Sequence, residues 1–266
     1  MDKGGQPVHI FWTINARKLK RYLILAVAFL FTVGIVYTEK ESVSVFTTMS
    51  VNKEEKLPEA INRVETNQQK VALTFDISWG EERLGPILDV LEQKGVKQAT
   101  FFLSAPWAEH HPELVKRIKE MGFEIGSHGY RHVNYSRLKD EEIREQIIKA
   151  DRILSSLTGE NPRLLRPPNG DFDKRVLRIA HELGYTVILW DTDSKDWMNP
   201  GVDKIVEQVL SNAHPGDIIL LHASDSAKQT HEALPRIIDQ LRSQGYQLVT
   251  VSELISGADT KLKELD

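Results

Sequence analysis

Lys70-Val71-Ala72-Leu73-Thr74-Phe75-Asp76, followed by Ile77-Ser78-Trp79-Gly80-Glu81-Glu82, is the stretch on which the fold turns. The run Val71 to Phe75 reads as a short buried strand that ends on a carboxylate. No glycine-rich phosphate loop follows it. The acidic, bulky continuation argues against nucleotide binding.

Beyond this stretch, short apolar runs alternate with amphipathic segments, the pattern of parallel strands covered by helices. Further strands are expected at Gln98 to Leu103, Phe123 to Gly126, Leu164 to Arg166, Thr186 to Trp190, Asp217 to Leu221 and Gln247 to Val251. Helices are expected at Leu84 to Gln93, Pro112 to Met121, Asp140 to Leu157, Lys174 to Leu183, Val202 to Asn212 and Ala233 to Gln244. Glycines such as Gly95, Gly122, Gly159, Gly184 and Gly245 stand near the helix ends, where capping favours them. About seven strands allow either a barrel-like closure or an open doubly wound sheet, and the pattern does not separate the two. The domain is expected over residues 70–257, with a tail at 258–266.

The N-terminal side reads differently. Arg17, Lys18, Lys20 and Arg21 precede an uncharged run, Tyr22 to Thr38, which Glu39, Lys40 and Glu41 close. A run of about 17 residues sits at the lower limit for crossing a bilayer. The basic flank places residues 1–21 in the cytoplasm, the span at 22–38, and the rest of the chain outside. Small residues are missing just after the run, which argues against a cleaved signal. Residues 39–69 are polar without a sustained period and read as a linker.

Composition sets outer bounds. The 266 residues hold 41% hydrophobic and 27% charged residues with a formal net charge of −4, so no basic field draws nucleic acid. Cysteine is absent, which excludes disulfides, thiolate nucleophiles and cysteine metal sites. A metal would have to use histidine and carboxylate.

The titratable residues gather at strand ends. Asp76 ends the first strand, His128 and His132 follow the third, Arg166 ends the fourth, Asp191, Asp193 and Asp196 follow the fifth, and His222 ends the sixth. In a parallel α/β fold these ends share the carboxyl edge of the sheet, where active sites form. Taken singly, each has a structural explanation: Asp76 as a helix cap, Asp193 to Asp196 as a solvated turn, His222 as a core histidine. His110, His111, His181, His214 and His231 fall in or beside helices and read as surface residues.

The order of motifs is recognisable. Thr74-Phe75-Asp76, Ser127-His128-Gly129-Tyr130-Arg131-His132, Arg166-Pro167-Pro168, Asp193-Ser194-Lys195-Asp196-Trp197 and Ile219-Leu220-Leu221-His222 resemble the five motifs of NodB-type polysaccharide deacetylases, carbohydrate esterase family 4. With the anchor and the variant Phe75-Asp76-Ile77-Ser78-Trp79-Gly80, the chain looks closest to the PdaB-type deacetylases of spore-forming bacteria. The resemblance implies a distorted (β/α) barrel that removes N-acetyl groups from an amino-sugar polysaccharide, peptidoglycan or a related glycan, by metal-assisted water attack. It implies Asp76 as base, His222 as acid, His128 and His132 as ligands of a divalent metal such as zinc, and Arg166 and Asp196 as supports of the base and the acid. It further implies that Trp197 and Leu221 line an acetyl pocket and that the backbone near Asn169 meets the oxyanion.

Two positions depart from the family pattern. Ile77 stands where the family carries a third metal ligand, an Asp, and Asn169 stands where an aromatic residue is common. Two alternatives therefore stand beside the hydrolase: a catalytically silent glycan-binding or scaffold protein, and a two-carboxylate glycosidase using Asp76 with Asp193 or Asp196.

Overall fold

The structure is a computed structural model. It describes Lys20, Leu25, residues 58–256 and the backbone of 259–263. The chain divides into two units, Met1–Lys56 and Leu57–Asp266. Among the described residues no helix is long and apolar enough to cross a membrane. The span expected at 22–38 lies, apart from Leu25, outside the described residues.

The second unit is a curled parallel sheet wrapped by helices. Its strands are β1 (Ala60–Glu65), β2 (Lys70–Ile77), β3 (Thr100–Leu103), β4 (Glu124–Ser127), β5 (Leu164–Leu165), β6 (Thr186–Val187), β7 (Thr192–Asp193), β8 (Ile218–His222), β9 (Gln247–Val249) and β10 (Asp259–Lys263). The helices are α1 (Leu84–Gln93), α2 (Ala105–His110), α3 (Pro112–Glu120), α4 (Asp140–Thr158), α5 (Lys174–Glu182), α6 (Val202–Asn212), α7 (Thr230–Ser243) and α8 (Val251–Ser256). The parallel order is β6-β5-β4-β3-β2-β8-β7, with β9 added beside the start of β2. Only residues 188–191 separate the two edge strands along the chain, so the sheet curls until its edges are neighbours. This is the half-barrel form of a distorted (β/α) barrel.

Strand β1 spans that seam. It pairs antiparallel with β10, bridges Ile61 to Ile188 on one edge, and bridges Arg63 to Asp217 on the other. Its Ile61 and Val64 join Ala72, Phe102, Ile188 and Ile218 in the cluster that fills the barrel below the site. A second, larger cluster packs alternate strand residues such as Leu73, Phe75, Phe101 and Leu221 against α1, α2, α6 and α7. At roughly 25 cal/mol per Å² of apolar area, burial of such side chains is the main term holding the curl.

Several expectations need correction. The second unit begins before Lys70, because β1 lies within the stretch read as a linker, and β10 lies within the expected tail. The two strands pair with each other from opposite ends of the unit, so no local period announces them. The strand expected at Thr186 to Trp190 breaks after Val187 and resumes as β7, where the sheet turns its corner. Helices α2 and α8 are short and were not anticipated.

Candidate active site

The carboxyl ends of the strands open on a cleft of about 640 Å³. Strand alternation decides what reaches it. In β2 and β8, Thr74 pairs with Leu220 and Asp76 with His222, and these face the barrel interior. Phe75 and Leu221, one residue out of phase, face the helices. Leu221 is therefore wholly buried in the helix-side core and does not line the cleft, and Leu220 takes its place. The same parity sends Ile77 into the helix-side core, so residue 77 offers the cleft nothing.

Asp76 is held from behind. Arg166, with no exposed surface, donates from Nη1 to Asp76 Oδ1 at 2.8 Å and to Thr74 Oγ1 at 2.9 Å, and from Nη2 to the Leu189 carbonyl at 2.8 Å. Its guanidinium lies 4.1 Å from the Phe102 ring centre, which fixes the plane of the fork. Burial pushes the Asp76 carboxyl pKa up. The neighbouring cationic groups, Arg166 foremost, outweigh that, and the net pKa is lowered, so Asp76 is an anion.

His128 follows β4. Its Nδ1 lies 2.8 Å from the Arg166 carbonyl, and a carbonyl only accepts, so Nδ1 carries the hydrogen and Nε2 presents its lone pair. Burial pulls the His128 pKa down to about 4, against the pull of Asp76, and the ring is neutral near pH 7. Its Nε2 then faces Asp76 Oδ2 across 3.8 Å, two electron-rich atoms with no donor between them. The His132 ring lies 5.5 Å away, centroid to centroid, at 60°. Two imidazoles binding one ion at about 2.0–2.1 Å per bond would have centroids roughly 5 Å apart. The arrangement therefore fits a cation between these groups. It stops short of a complete centre: among the described residues no three His, Asp or Glu side chains form a set that could hold a metal.

His222 is held by a separate device. Its Nδ1 lies 2.7 Å from Asp196 Oδ1 and its backbone N–H donates to Asp196 Oδ2 at 2.7 Å, an oxygen that Thr230 Oγ1 also donates to at 2.7 Å. A carboxylate accepts, so Nδ1 carries the hydrogen and Nε2 is left for the cleft. Burial opposes the imidazolium, yet Asp196, with smaller contributions from Asp76 and Asp193, raises the His222 pKa overall. Asp196 has no exposed surface and all three contacts are internal, so it faces no substrate. A two-carboxylate site built on Asp196 is thereby excluded.

Not every residue read from the strand ends arrives here. Asp191 turns away to the β1 seam, where Asn62, Arg63 and His214 bind it. Asp193 lines the cleft and is bound by Lys195. Asn169 and Trp197 line it as expected. Missing from the sequence reading were Ser78, Trp79, Trp190, Leu220, Ser224 and Ser226. Ser224 and Ser226 follow the carboxyl end of β8, so the rule that picked His222 would also have found them.

The polysaccharide deacetylase family matches residues 63–188. A peptidoglycan-N-acetylglucosamine deacetylase of Bacillus cereus is 38% identical over 195 residues, 72% of this chain and 91% of its own. The chain belongs to the polysaccharide deacetylase family. Solved structures of the family bracket its chemistry. A Bacillus anthracis protein described as a CE4 family pseudoenzyme superposes with a TM-score of 0.71 at 36% identity, covering 76% of this chain and 70% of its own. A mutant of that pseudoenzyme with restored enzymatic activity matches with a TM-score of 0.71 at 37% identity, over 76% of this chain and 73% of its own. This deacetylase fold thus occurs with and without turnover among relatives of similar distance.

Proposed function

We propose that this chain removes N-acetyl groups from the amino sugars of peptidoglycan by hydrolysis between Asp76 and His222. Asp76, kept anionic by Arg166, takes a proton from water as the water oxygen attacks the acetyl carbonyl. A tetrahedral intermediate forms, and His222 donates its Nε2 proton to the amine nitrogen as the carbon–nitrogen bond breaks. Acetate and a free amino sugar leave. Arg166 and Asp196 are positioning residues, while Trp197 and Leu220 border the acetyl methyl and Asn169 meets the substrate at the rim. A divalent cation, zinc being suited to imidazole donors, would be held by His128 and His132 and when bound supplies polarisation of the carbonyl.

The observation that supports this reading is the pairing of Asp76 with His222 on adjacent strands, one fixed by a buried Arg and the other by a buried Asp. Acetate release from N-acetylated glycan strands tests it, using the wild type, Asp76→Asn and His222→Ala. Each variant should lose activity by about 10²- to 10⁴-fold. Unchanged release by either would remove its residue from the mechanism.

A second reading, glycan binding without turnover, draws on Ile77, which leaves the cation with two imidazoles. It is met by a folded wild type that binds glycan and yields no acetate with zinc present. The location belongs to the same proposal. Residues 22–38 anchor the chain in the cell membrane with residues 1–21 in the cytoplasm and the deacetylase domain outside, in reach of the wall. Protection of the domain from protease in intact protoplasts would contradict this. A role in sporulation follows only from the PdaB-type resemblance, and a deletion strain with normally deacetylated spore peptidoglycan would end it.

A further inference from the structure

The two imidazoles of the cleft are not held alike. His128 is buried, and the Arg166 carbonyl, 2.8 Å from Nδ1, fixes its ring. His132 is exposed, and among the described residues its ring hydrogen-bonds with no residue but its own. Its place, 5.5 Å from the His128 ring, therefore depends on the backbone that carries it.

That backbone is a turn tied at both ends. At its start the Gly129 carbonyl accepts the Ala105 N–H at 2.9 Å, and the Gly129 N–H donates to Ser127 Oγ at 3.2 Å. Near its end the tie comes from α4, where Gln146 Oε1 accepts the Arg131 N–H at 2.8 Å. Lys149 of the same helix adds a weaker hold, with Nζ 5.5 Å from the Tyr130 ring centre. Arg131 directly precedes His132, so α4 grips the chain one residue before the second imidazole.

Gln146 differs in kind from its neighbours. The inward face of α4 carries Ile143, Ile147, Ala150 and Leu154, all wholly buried, and Gln146 stands among them with 8% of its surface exposed. Burying an amide is costly unless hydrogen bonds meet its polar atoms, and here its oxygen serves one backbone N–H of the histidine turn. An apolar side chain of the same length would fill that place and leave Arg131 without its tie to α4.

We propose that Gln146 is a positioning residue for His132: by accepting the Arg131 N–H it holds the second imidazole opposite the first, at a spacing that suits a divalent cation. Hydrogen bonds one step out from metal ligands are worth about 10- to 100-fold in affinity. The inference rests on the proposed holding of a cation by His128 and His132, and the metal-free arm of its test does not.

Zinc affinity of the full chain, read by competition with a chelating dye, tests it together with proton NOEs between the His128 and His132 rings in metal-free protein. Gln146→Met keeps the length and loses the acceptor. It should bind zinc about 10- to 100-fold more weakly and lose the contact between the rings, with the fold intact by circular dichroism. Gln146→Glu keeps an accepting oxygen and should restore both. Ile147→Val loosens the same face of α4 and should lower thermal stability with zinc affinity unchanged, which separates positioning from general packing. Equal zinc affinity in the wild type and Gln146→Met would overturn the proposal, as would an equal loss in Ile147→Val. A wild type that binds no zinc would remove the cation from the deacetylase reading and leave the metal-free contact to decide here. Its loss in Gln146→Met would support the positioning role, and its persistence would overturn it.

Discussion

Asp196→Asn isolates the electrostatic support of the proposed acid at almost constant shape. The native carboxylate accepts three hydrogen bonds at 2.7 Å, from His222 N–H, His222 Nδ1 and Thr230 Oγ1. An amide has one accepting oxygen. If that oxygen keeps the two donors it now meets at Oδ2, the amide NH₂ faces His222 Nδ1, which must then become an acceptor. The ring is driven to the neutral tautomer with hydrogen on Nε2. The imidazolium also loses a buried opposite charge in contact, worth about 1.4–4 kcal/mol or ten- to thousand-fold in proton affinity. Two measurements read this out. Nitrogen NMR should show the His222 titration moved to lower pH and its neutral tautomer reversed. The alkaline limb of kcat/KM for acetate release should move down with it, with the rate at pH 7 lower by about 10²- to 10⁴-fold. An unmoved His222 titration in a folded variant would refute the assignment of Asp196 as the source of the raised pKa.

Further outcomes follow from the same geometry. Arg166→Met leaves Asp76 buried without its cation, so unfolding free energy in urea should fall by about 3–5 kcal/mol; a loss under 1 kcal/mol would mean that solvent reaches Asp76. Burial raises the Asp217 pKa to about 6, above its ordinary value of 3.8, so its protonated form favours the fold. That contribution is full below about pH 4 and lost as pH rises through about 6, a swing of roughly 3 kcal/mol. Asp217→Asn should accordingly flatten the pH dependence of stability between pH 4 and 8, and an unchanged slope would refute the burial argument. Gly129 has φ +78°, and a Cβ there would lie 2.1 Å from Tyr135 Oη. Gly129→Ala should therefore displace the His128 to His132 turn, lowering thermal stability and acetate release together; an unaltered melting temperature would show that the turn yields freely.

The sequence made the site legible where a rule of topology applied. Parallel strands aim their carboxyl ends one way, and that rule alone gathers Asp76, His128 and His222. It failed where the answer depended on phase. Leu221 and Leu220 are neighbours in an unbroken apolar run, and only the pairing of Asp76 with His222 tells which of them faces the cleft. Asp191 stands two residues before Asp193, yet the corner between β6 and β7 sends it to the opposite end of the barrel wall, onto Arg63 and His214. His214 reads as a surface residue because it stands just beyond a helix, and its contact with Asp191 is set by that same corner. The seam strand β1 escaped because its partners, β10, Ile188 and Asp217, are remote in sequence. Trp79 was visible as a bulky loop residue, but its exposure could not be read from composition.

The measurement that bears most directly on the whole is acetate released from N-acetylated glycan strands by the wild-type chain as zinc is added from none to excess, with reducing ends counted in the same samples. Acetate rising with zinc and no new reducing ends is the expected result. A folded protein that retains glycan yet yields no acetate at any zinc concentration would contradict it.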